Sequence, residues 1–395
     1  MTLRIQMITQ YRVERSEPEN VLKPTPVKII CVVGARPNFM KVAPILRALQ
    51  ATARFEPLLL HTGQHYDYQM SQVFFDELGL PPPDIYLGVG SASHALQTAQ
   101  IMVAFEGVLR AHQPDLLLVV GDVNSTLACA LVAAKSGVKI AHVEAGLRSF
   151  NRRMPEEINR ILTDALSDLL FVTEQSAVEN LHREGVEHGR IHFVGNVMVD
   201  TLHWHLEAAH SLNTLRDFGV DPQGYALLTL HRPANVDDDR VLERLLAACL
   251  ELSRSLPVVF PLHPRTRRQI ENAGLDPLLQ SAKTMVLCPP LGYLQFLHLM
   301  AHARMVLTDS GGVQEESTVL GVPCLTLREE TERPVTVTEG TNVIVGSDSE
   351  RIRVEAERIL RGQGRAGRIP EKWDGRAAER IAAILVDVFS PVAHS

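Results

Sequence analysis

The sequence lacks the features that mark several classes of protein. No apolar run approaches the ~20 residues that a membrane-spanning helix needs, and residues 1–8 lack the apolar core of a signal peptide. Lysine and arginine number 39 against 46 aspartates and glutamates, so the formal net charge is -7. An acidic chain of this kind is not expected to bind nucleic acid or an anionic membrane, although a small anionic ligand responds only to local charge.

Cysteine is also scarce. The five cysteines are widely scattered, and no two of them have the spacing of zinc ligands or of a disulfide framework: Cys31, Cys129, Cys249, Cys288 and Cys324. Four of them lie in apolar runs and are predicted to be buried. Reduced, scattered thiols fit a cytoplasmic protein, so the predicted location is the cytoplasm.

The length and composition indicate a soluble globular protein with two domains. A chain of 395 residues is too long for one ordinary core, and its 45% hydrophobic and 22% charged residues are typical of globular proteins. Residues 1–26 are polar and mixed in charge. They are predicted to form a flexible extension, although a start codon assigned too early would give the same composition.

Apolar, β-rich runs alternate with longer amphipathic segments. This alternation predicts parallel sheets that are covered by helices on both faces, and the strands are too many for one small sheet. The fold class is therefore α/β, with two doubly wound Rossmann-like domains over 27–195 and 196–374 and a hinge near Gly195–Asn196. A final helix is predicted over Gly375–Phe389, and segment 375–395 is assigned to the first domain. The predicted strands are Val27–Val33, Leu58–His61, Leu116–Val120, Lys139–Val143, Asp168–Val172, Ile191–Val194, Tyr225–Leu230, Val258–Pro261, Met285–Cys288, Met305–Thr308 and Cys324–Leu327.

The candidate functional residues share one position in this pattern, at or just beyond the carboxyl end of a predicted strand. Ligands bind at those ends in open parallel sheets, and two domains that face each other would enclose a ligand in the cleft between them. The residues are Gly34–Arg36, Gly121–Asp122, Glu144, His231–Arg232, His263 and Asp309–Gly311.

Thr308–Glu316 has the composition of an anion site. Gly311 and Gly312 allow a ligand to approach the backbone closely, and a helix that begins at about Val313 would present free N–H groups to a diphosphate. Glu316, one turn further on, could accept hydrogen bonds from ribose hydroxyls. The same residues also fit a plain strand–turn–helix with an N-cap serine, and neither interpretation is preferred from these letters alone.

Cations and histidines add to this interpretation. Arg36 and Lys41 fall near the start of a predicted helix, where the helix dipole disfavours positive charge unless an anion binds there. His231, beside Arg232, is interpreted as a site residue rather than a capping or core histidine, whereas the two interpretations of His263 are evenly balanced. The charged segment 328–334 is either a solvated loop or part of the site, because it follows the strand next to the Ser310 turn.

The carboxylates need a separate explanation. Asp122, Glu144 and the pair Glu156–Glu157 would repel a diphosphate, so they are expected to bind sugar hydroxyls or to move protons. Pro155 suits the first position of a helix, and one of the two glutamates that follow it could serve only to complement that helix's dipole. Asp122 and Glu144 have no such structural role.

With these residues assembled, the chain resembles the non-hydrolysing UDP-N-acetylglucosamine 2-epimerases from about Val27 to the last helix. The motifs that carry the resemblance are Gly34–Pro37, His142–Arg148, Pro155–Arg160, Thr308–Glu316 and Thr331–Pro334. The resemblance implies the two-domain fold of GT-B glycosyltransferases, with the C-terminal helix crossing back to the first domain. It also implies a homodimer, with no cofactor and no metal.

The resemblance further implies roles for individual residues. The catalytic positions would be Asp122, Glu144, Glu156 and His231. UDP would bind the second domain, its phosphates held by Ser310, Gly311 and Gly312 and its ribose by Glu316, with Arg36, Lys41, Phe296 and Arg333 as further substrate contacts. The implied reaction interconverts UDP-GlcNAc and UDP-ManNAc through loss of UDP to a 2-acetamidoglucal and its re-addition.

The sequence departs from the best-known members in three places. Pro233 stands where a second arginine is expected, Leu291 stands where a glutamine is expected, and segment 63–70 is slightly longer. Gln64 and His65 in that segment are candidates for binding a second, activating UDP-GlcNAc, and whether they do so stays open. Epimerisation of a modified UDP-N-acetyl sugar and GT-B glycosyl transfer from a UDP-sugar remain alternatives.

Overall fold

The computed structural model describes residues 25–63, 79–280 and 284–390. Nearly all of the predicted N-terminal extension lies outside these ranges, as do Gln64 and His65. Four of the cysteines are buried, as predicted, and Cys288 is half-buried. Within the described ranges, no helix has both the length and the apolar character needed to cross a membrane.

The first half of the chain builds a seven-stranded parallel sheet. Its strand order is β3-β2-β1-β4-β5-β6-β7. The strands are β1 Val27–Val33, β2 Phe55–His61, β3 Ile85–Tyr86, β4 Leu116–Val120, β5 Lys139–Ala145, β6 Leu169–Val172 and β7 Ile191–Phe193. The helices between them are α1 Arg36–Gln50, α2 His94–His112, α3 Asn124–Lys135, α4 Pro155–Leu166 and α5 Gln175–Arg183, with a 3-10 turn at His188–Arg190. All five residues of β4 are buried, as expected for a central strand covered on both faces.

The second half builds a six-stranded parallel sheet with the order β10-β9-β8-β11-β12-β13. Its strands are β8 Ala226–Thr229, β9 Val258–Pro261, β10 Met285–Cys288, β11 Met305–Thr308, β12 Cys324–Thr326 and β13 Asn342–Ile344. The helices of this half are α6 Val197–His210, α7 Thr214–Phe218, α8 Pro233–Val236, α9 Asp239–Ser253, α10 Pro264–Asn272, α11 Asp276–Gln280, α12 Tyr293–His302, α13 Gly311–Leu320, α14 Pro334–Thr338, α15 Ser349–Leu360 and α16 Ala377–Val388.

The predicted fold class is confirmed, and most differences from the predicted elements lie at their ends. Six predicted strands are shifted at one or both ends by up to three residues, and α13 begins at Gly311 rather than Val313. β3 and β13 were not predicted, because edge strands of 2 and 3 residues are too short to show a pattern. The proposed domain boundaries stay a prediction.

Helix α6 joins the two halves. It begins directly after the predicted hinge, where the Asn196 side chain accepts a hydrogen bond from Met198 N at 2.9 Å. It packs against α1 on one side and against α12 and α13 on the other. The C-terminal helix α16 crosses back onto α1 and α6, and Asp200 of α6 accepts hydrogen bonds from the N–H groups of Ala377 and Ala378 at 3.1 and 2.8 Å. Helices from both halves of the chain therefore pack together around α6.

Candidate active site

The predicted site residues converge where loops at the carboxyl ends of the two sheets meet. Asn151, from the loop after β5, donates a hydrogen bond to Glu330, from the loop after β12, at 2.8 Å. Arg333 Nη2 of the second half lies 3.7 Å from Glu144 Oε2 of the first. These contacts bring loops at the carboxyl ends of the two sheets together. The predicted binding of one ligand between them stays a prediction.

Glu144 occupies an unusual backbone position. The sequence predicts it just after a strand that ends at Val143, but the structure places it inside β5, where the pairing with β6 shifts register. Its φ is 68°, in the left-handed region that non-glycine residues rarely adopt. Glu144 is 3% exposed, its Oε2 lies 2.5 Å from Lys41 Nζ, and its Oε1 has no hydrogen-bond partner in the described residues. Such local strain concentrates at functional sites.

Asp122 lies beside Glu144 and is paired with an arginine that the sequence analysis did not single out. Arg160 Nη2 lies 2.9 Å from Asp122 Oδ2, and Asn159 donates a hydrogen bond to the Asp122 carbonyl at 2.9 Å. Burial raises the pKa of the Asp122 carboxyl, but the charges of Arg160, Lys41 and Arg333 outweigh it and hold the pKa below its ordinary value. Asp122 is therefore ionised at neutral pH.

Arg333 is the centre of a buried network of charges. Its Nε donates a hydrogen bond to Glu315 at 2.7 Å, its Nη1 lies 3.0 Å from Glu332, and its Nη2 faces Glu144. The family resemblance implies that Arg333 contacts the substrate, but no role was predicted for Glu315 or Glu332. Glu332 is the chain neighbour of Arg333, so its proximity was visible in the sequence. Glu315 meets Arg333 only because α13 packs against the loop before α14.

Glu332 lies close to several arginines besides Arg333. Arg328, Arg232 and Arg160 lie 2.8, 3.7 and 3.9 Å from its carboxylate oxygens. Burial raises the pKa of Glu332, but the charges of Arg333, Arg328, Arg160 and Arg232 hold it far below its ordinary value. Glu332 and Arg333 of segment 328–334 are therefore buried in the candidate site rather than solvated. The guanidinium groups gathered there are of the kind that binds anionic ligands, although carboxylates pair with them in this structure.

His231 is oriented by a buried carboxylate. Its Nδ1 lies 2.8 Å from Asp309 Oδ1, and Asp309 also accepts a hydrogen bond from Arg232 N at 2.9 Å. This contact favours the tautomer with the proton on Nδ1 and leaves Nε2 for a ligand. Asp309 was noted only as part of a motif, and its position at the end of the neighbouring strand was the available signal. His263 instead caps α10, where Nδ1 accepts a hydrogen bond from Arg265 N at 3.2 Å.

The residues from Ser310 to Glu316 form the expected strand–turn–helix. Ser310 is the N-cap of α13 with an extended backbone, and its own side chain makes no capping hydrogen bond. A Cβ added at Gly311 would lie 3.2 Å from Arg333 Cζ. Glycine at this position therefore lets the start of α13 pack closely against the Arg333 side chain. Glu316 is buried and accepts a hydrogen bond from Tyr293 Oη at 2.8 Å. Burial and, to a smaller extent, the charge of Glu315 raise the pKa of Glu316 to about 8. The hydrogen bond from the Tyr293 hydroxyl opposes this shift and lowers the pKa.

The two glutamates at the start of α4 have different environments. Glu157 is 1% exposed, accepts hydrogen bonds from Ser149 N and Phe150 N at 2.9 and 2.8 Å, and pairs with Arg160. Glu157 therefore holds the loop after β5 in place, in addition to the predicted role of complementing the dipole of α4. Glu156 is half-exposed and makes no hydrogen bond or ion pair within the described part of the chain.

Three further predicted residues receive less support from the structure. Arg36 is the first residue of α1, but its side chain is outside what the structure describes. Lys41 is buried and forms an ion pair with Glu144. It would contact a substrate only if the ligand rearranged this ion pair. Phe296 is half-buried on α12. The roles proposed for these residues stay predictions.

Several known proteins with similar sequences are 2-epimerases of UDP-sugars. A family model described as UDP-N-acetylglucosamine 2-epimerase matches residues 47–386. The UDP-N-acetylglucosamine 2-epimerase of Methanocaldococcus jannaschii is 43% identical over 364 residues, which cover 91% of this chain and 99% of that protein. The UDP-2,3-diacetamido-2,3-dideoxy-D-glucuronate 2-epimerase of Pseudomonas aeruginosa is 42% identical over 363 residues, with coverage of 91% and 99%.

A solved structure extends this similarity to three dimensions. The crystal structure of Methanocaldococcus jannaschii UDP-GlcNAc 2-epimerase in complex with UDP-GlcNAc and UDP matches the present fold with a TM-score of 0.85 at 42% identity. The match covers 91% of this chain and 100% of that one.

Proposed function

Because the chain belongs to the UDP-N-acetylglucosamine 2-epimerase family, we propose that it interconverts UDP-GlcNAc and UDP-ManNAc by inverting the configuration at C2. The observation that carries this proposal is Glu144. Its carboxylate is buried, lies on a strained backbone and is held between Lys41 and Arg333 at the junction of the two sheets. A carboxylate built in this way can exchange a proton with a sugar while the two cations face a departing diphosphate.

The chemistry of C2 explains the need for several acid–base groups. The C2 proton of an N-acetylhexosamine is not acidified by a carbonyl, so it leaves only as the C1–O bond to UDP breaks. The resulting 2-acetamidoglucal must then receive a proton on the opposite face of C2 as UDP adds back. Asp122, Glu144 and Glu156 supply these transfers in our proposal. Asp122 is ionised at neutral pH, so at the start of a turnover it can accept a proton but cannot donate one.

The second half of the chain stabilises the leaving group in this proposal. The N-terminus of α13, with Ser310, Gly311 and Gly312, offers backbone N–H groups to the phosphates. His231, oriented by Asp309, stabilises or protonates the departing diphosphate through Nε2. Arg333 adds a guanidinium group at the junction, where the charge of the departing UDP develops.

Isotope exchange tests the reaction type. The protein is incubated in D2O with UDP-GlcNAc as the sole substrate, and NMR follows C2. We expect deuterium at C2 and the appearance of UDP-ManNAc. A GT-B glycosyltransferase would leave the sugar unlabelled without an acceptor, and a hydrolysing enzyme would release free N-acetylmannosamine with UDP. Either result would contradict the proposal.

A modified UDP-sugar is the second candidate substrate. The 42% identity with a 2-epimerase of UDP-2,3-diacetamido-2,3-dideoxy-D-glucuronate favours it, since that relative is as similar as the M. jannaschii enzyme is. The same exchange assay with a panel of UDP-N-acetyl sugars ranks the substrates by kcat/KM. A preference for the 2,3-diacetamido uronate over UDP-GlcNAc would replace the first candidate by the second.

Binding of UDP is expected to release a proton from Glu316. The pKa of this group is raised to about 8, so at neutral pH most of the free protein carries a protonated Glu316. If the Glu316 carboxylate accepts hydrogen bonds from the ribose hydroxyls, the affinity for UDP increases with pH up to about pH 8 and levels off above it. Calorimetry at pH 7 in two buffers of different ionisation enthalpy measures the released proton.

A matched variant separates this effect from titration of UDP itself, whose terminal phosphate has a pKa of about 6. Glu316→Gln should remove the proton release, and Tyr293→Phe should shift the pH dependence upwards because the Tyr293 hydroxyl lowers the pKa of Glu316. An unchanged proton release in Glu316→Gln would assign the effect to another group.

We further propose that the enzyme is a cytoplasmic homodimer that supplies N-acetylmannosamine units for a polysaccharide. The scattered free cysteines support the location, and the family resemblance supports the assembly and the pathway.

A further inference from the structure

Three histidines from two helices cluster outside the cleft. His210 is the last residue of α6, and His298 and His302 lie one turn apart on α12. One ring nitrogen from each lies within 4.8 Å of the others. The ring centroids of His298 and His302 are 4.7 Å apart, and those of His210 and His302 are 5.1 Å apart. The cluster contains only histidines, so the spacing of the cysteines gave no indication of it.

Burial and hydrogen bonding prepare these rings to bind a cation. His298 is 5% exposed, and its Nδ1 has no hydrogen-bond partner in the described residues. A buried polar atom without a partner is uncommon in a folded protein and calls for an explanation. His302 Nδ1 lies 2.9 Å from the His298 carbonyl, a contact that places the proton on Nδ1 and leaves Nε2 as a lone-pair donor.

The positions of the two histidines on α12 also suit a metal ion. Neutral imidazole is the form that binds metals, and His-x3-His on one face of a helix is a common source of two zinc ligands. Three nitrogens around one zinc ion stand about 3.4 Å apart, as follows from Zn–N bonds of about 2.0–2.1 Å. The nitrogens of the cluster lie within 4.8 Å of one another, so the rings would move closer together on binding the ion.

We propose that His210, His298 and His302 bind one Zn²⁺ ion, with water at the fourth position. The ion would fasten the end of α6 to α12. Helix α6 begins at the hinge and packs against both halves, and α12 carries Tyr293, which contacts Glu316. The site therefore stabilises the joint between the two halves and takes no part in the proton transfers.

Zinc titration of the full-length protein tests this site. The purified chain is treated with a chelator, dialysed and titrated with Zn²⁺ alone by calorimetry, and its thermal midpoint is measured with and without Zn²⁺. We expect one equivalent to bind and the midpoint to rise by several degrees. Co²⁺ in place of Zn²⁺ should give the visible absorption bands of a tetrahedral site.

Variants locate the bound ion. His210→Asn and His302→Gln should each weaken Zn²⁺ binding by more than about tenfold, because the loss of a group behind a ligand already costs about 10–100-fold. The matched control is the double variant His182→Gln/His188→Gln, which removes an exposed pair of stacked histidines elsewhere. It should bind Zn²⁺ as the wild type does. Absence of stoichiometric binding, or equal affinity in the cluster variants and the wild type, would overturn the proposal.

Discussion

Glu144→Gln is expected to abolish deuterium exchange at C2 while UDP still binds. Glutamine keeps the shape of the side chain but cannot accept the C2 proton. General acid–base groups contribute about 10²–10⁴-fold to the rate, so we expect kcat to fall by that factor. NMR of the exchange reaction measures the first effect, and calorimetric titration with UDP measures the second. Affinity for UDP should change little, because the proposed diphosphate contacts lie on α13.

A control separates chemistry from folding in this variant. Glu184→Gln also removes a carboxylate that is paired with a buried arginine, since Glu184 lies 2.6 Å from Arg148. Glu184 lies outside the cleft, so this variant should retain exchange. Wild-type exchange in Glu144→Gln would remove Glu144 from the catalytic set and leave Asp122 and Glu156 as candidates.

Arg333→Met is expected to destabilise the protein and to abolish activity. Arg333 is buried against Glu315, Glu332 and Glu144, and its loss leaves carboxylates in the interior without compensation. Breaking a buried pair in this way costs about 3–5 kcal/mol. For a domain of about 150–250 residues the thermal midpoint should fall by roughly 6–20 °C. Differential scanning calorimetry measures the change.

The pH dependence of this deficit identifies its cause. In the wild type, the pKa of Glu332 is far below the ordinary value of 4.5. Its ionised form therefore contributes stability above about pH 4.5, and this contribution is lost as the pH falls towards the folded pKa. Without Arg333 the contribution is smaller, so the gap between variant and wild type should narrow on acidification.

An exposed arginine provides the comparison for Arg333. Arg353 also pairs with two carboxylates, those of Glu350 and Glu357, but on the surface of α15. Surface pairs of this kind contribute little, so Arg353→Met should leave the midpoint almost unchanged. Equal shifts in the two variants would show that burial of the Arg333 network contributes nothing.

The family carboxylates and cations were predictable because they lie at strand ends. Strand–helix alternation predicts two parallel sheets, and the geometry of parallel sheets places Asp122, His231 and Ser310 at one edge of their sheet. The resemblance then supplied a reaction for them. These inferences need only local pattern and the topology of the α/β fold.

The partners of those residues were not predictable. Asp309 was visible as a motif letter, but its contact with His231 depends on the adjacency of β8 and β11, strands that are about 80 residues apart in the chain. Glu315 approaches Arg333 only through the packing of α13 against the loop before α14. The left-handed φ of Glu144 arises at a register shift, which no side-chain periodicity reports.

The sequence by itself determined the two-sheet fold class, the family and the edge at which the site lies, because these follow from periodicity and from residues that are close along the chain. The tertiary structure alone decided which distant charges pair, which carboxylates are buried and which histidines meet. Electrostatic interactions depend on distance and burial, and both are fixed only when elements far apart in sequence pack together.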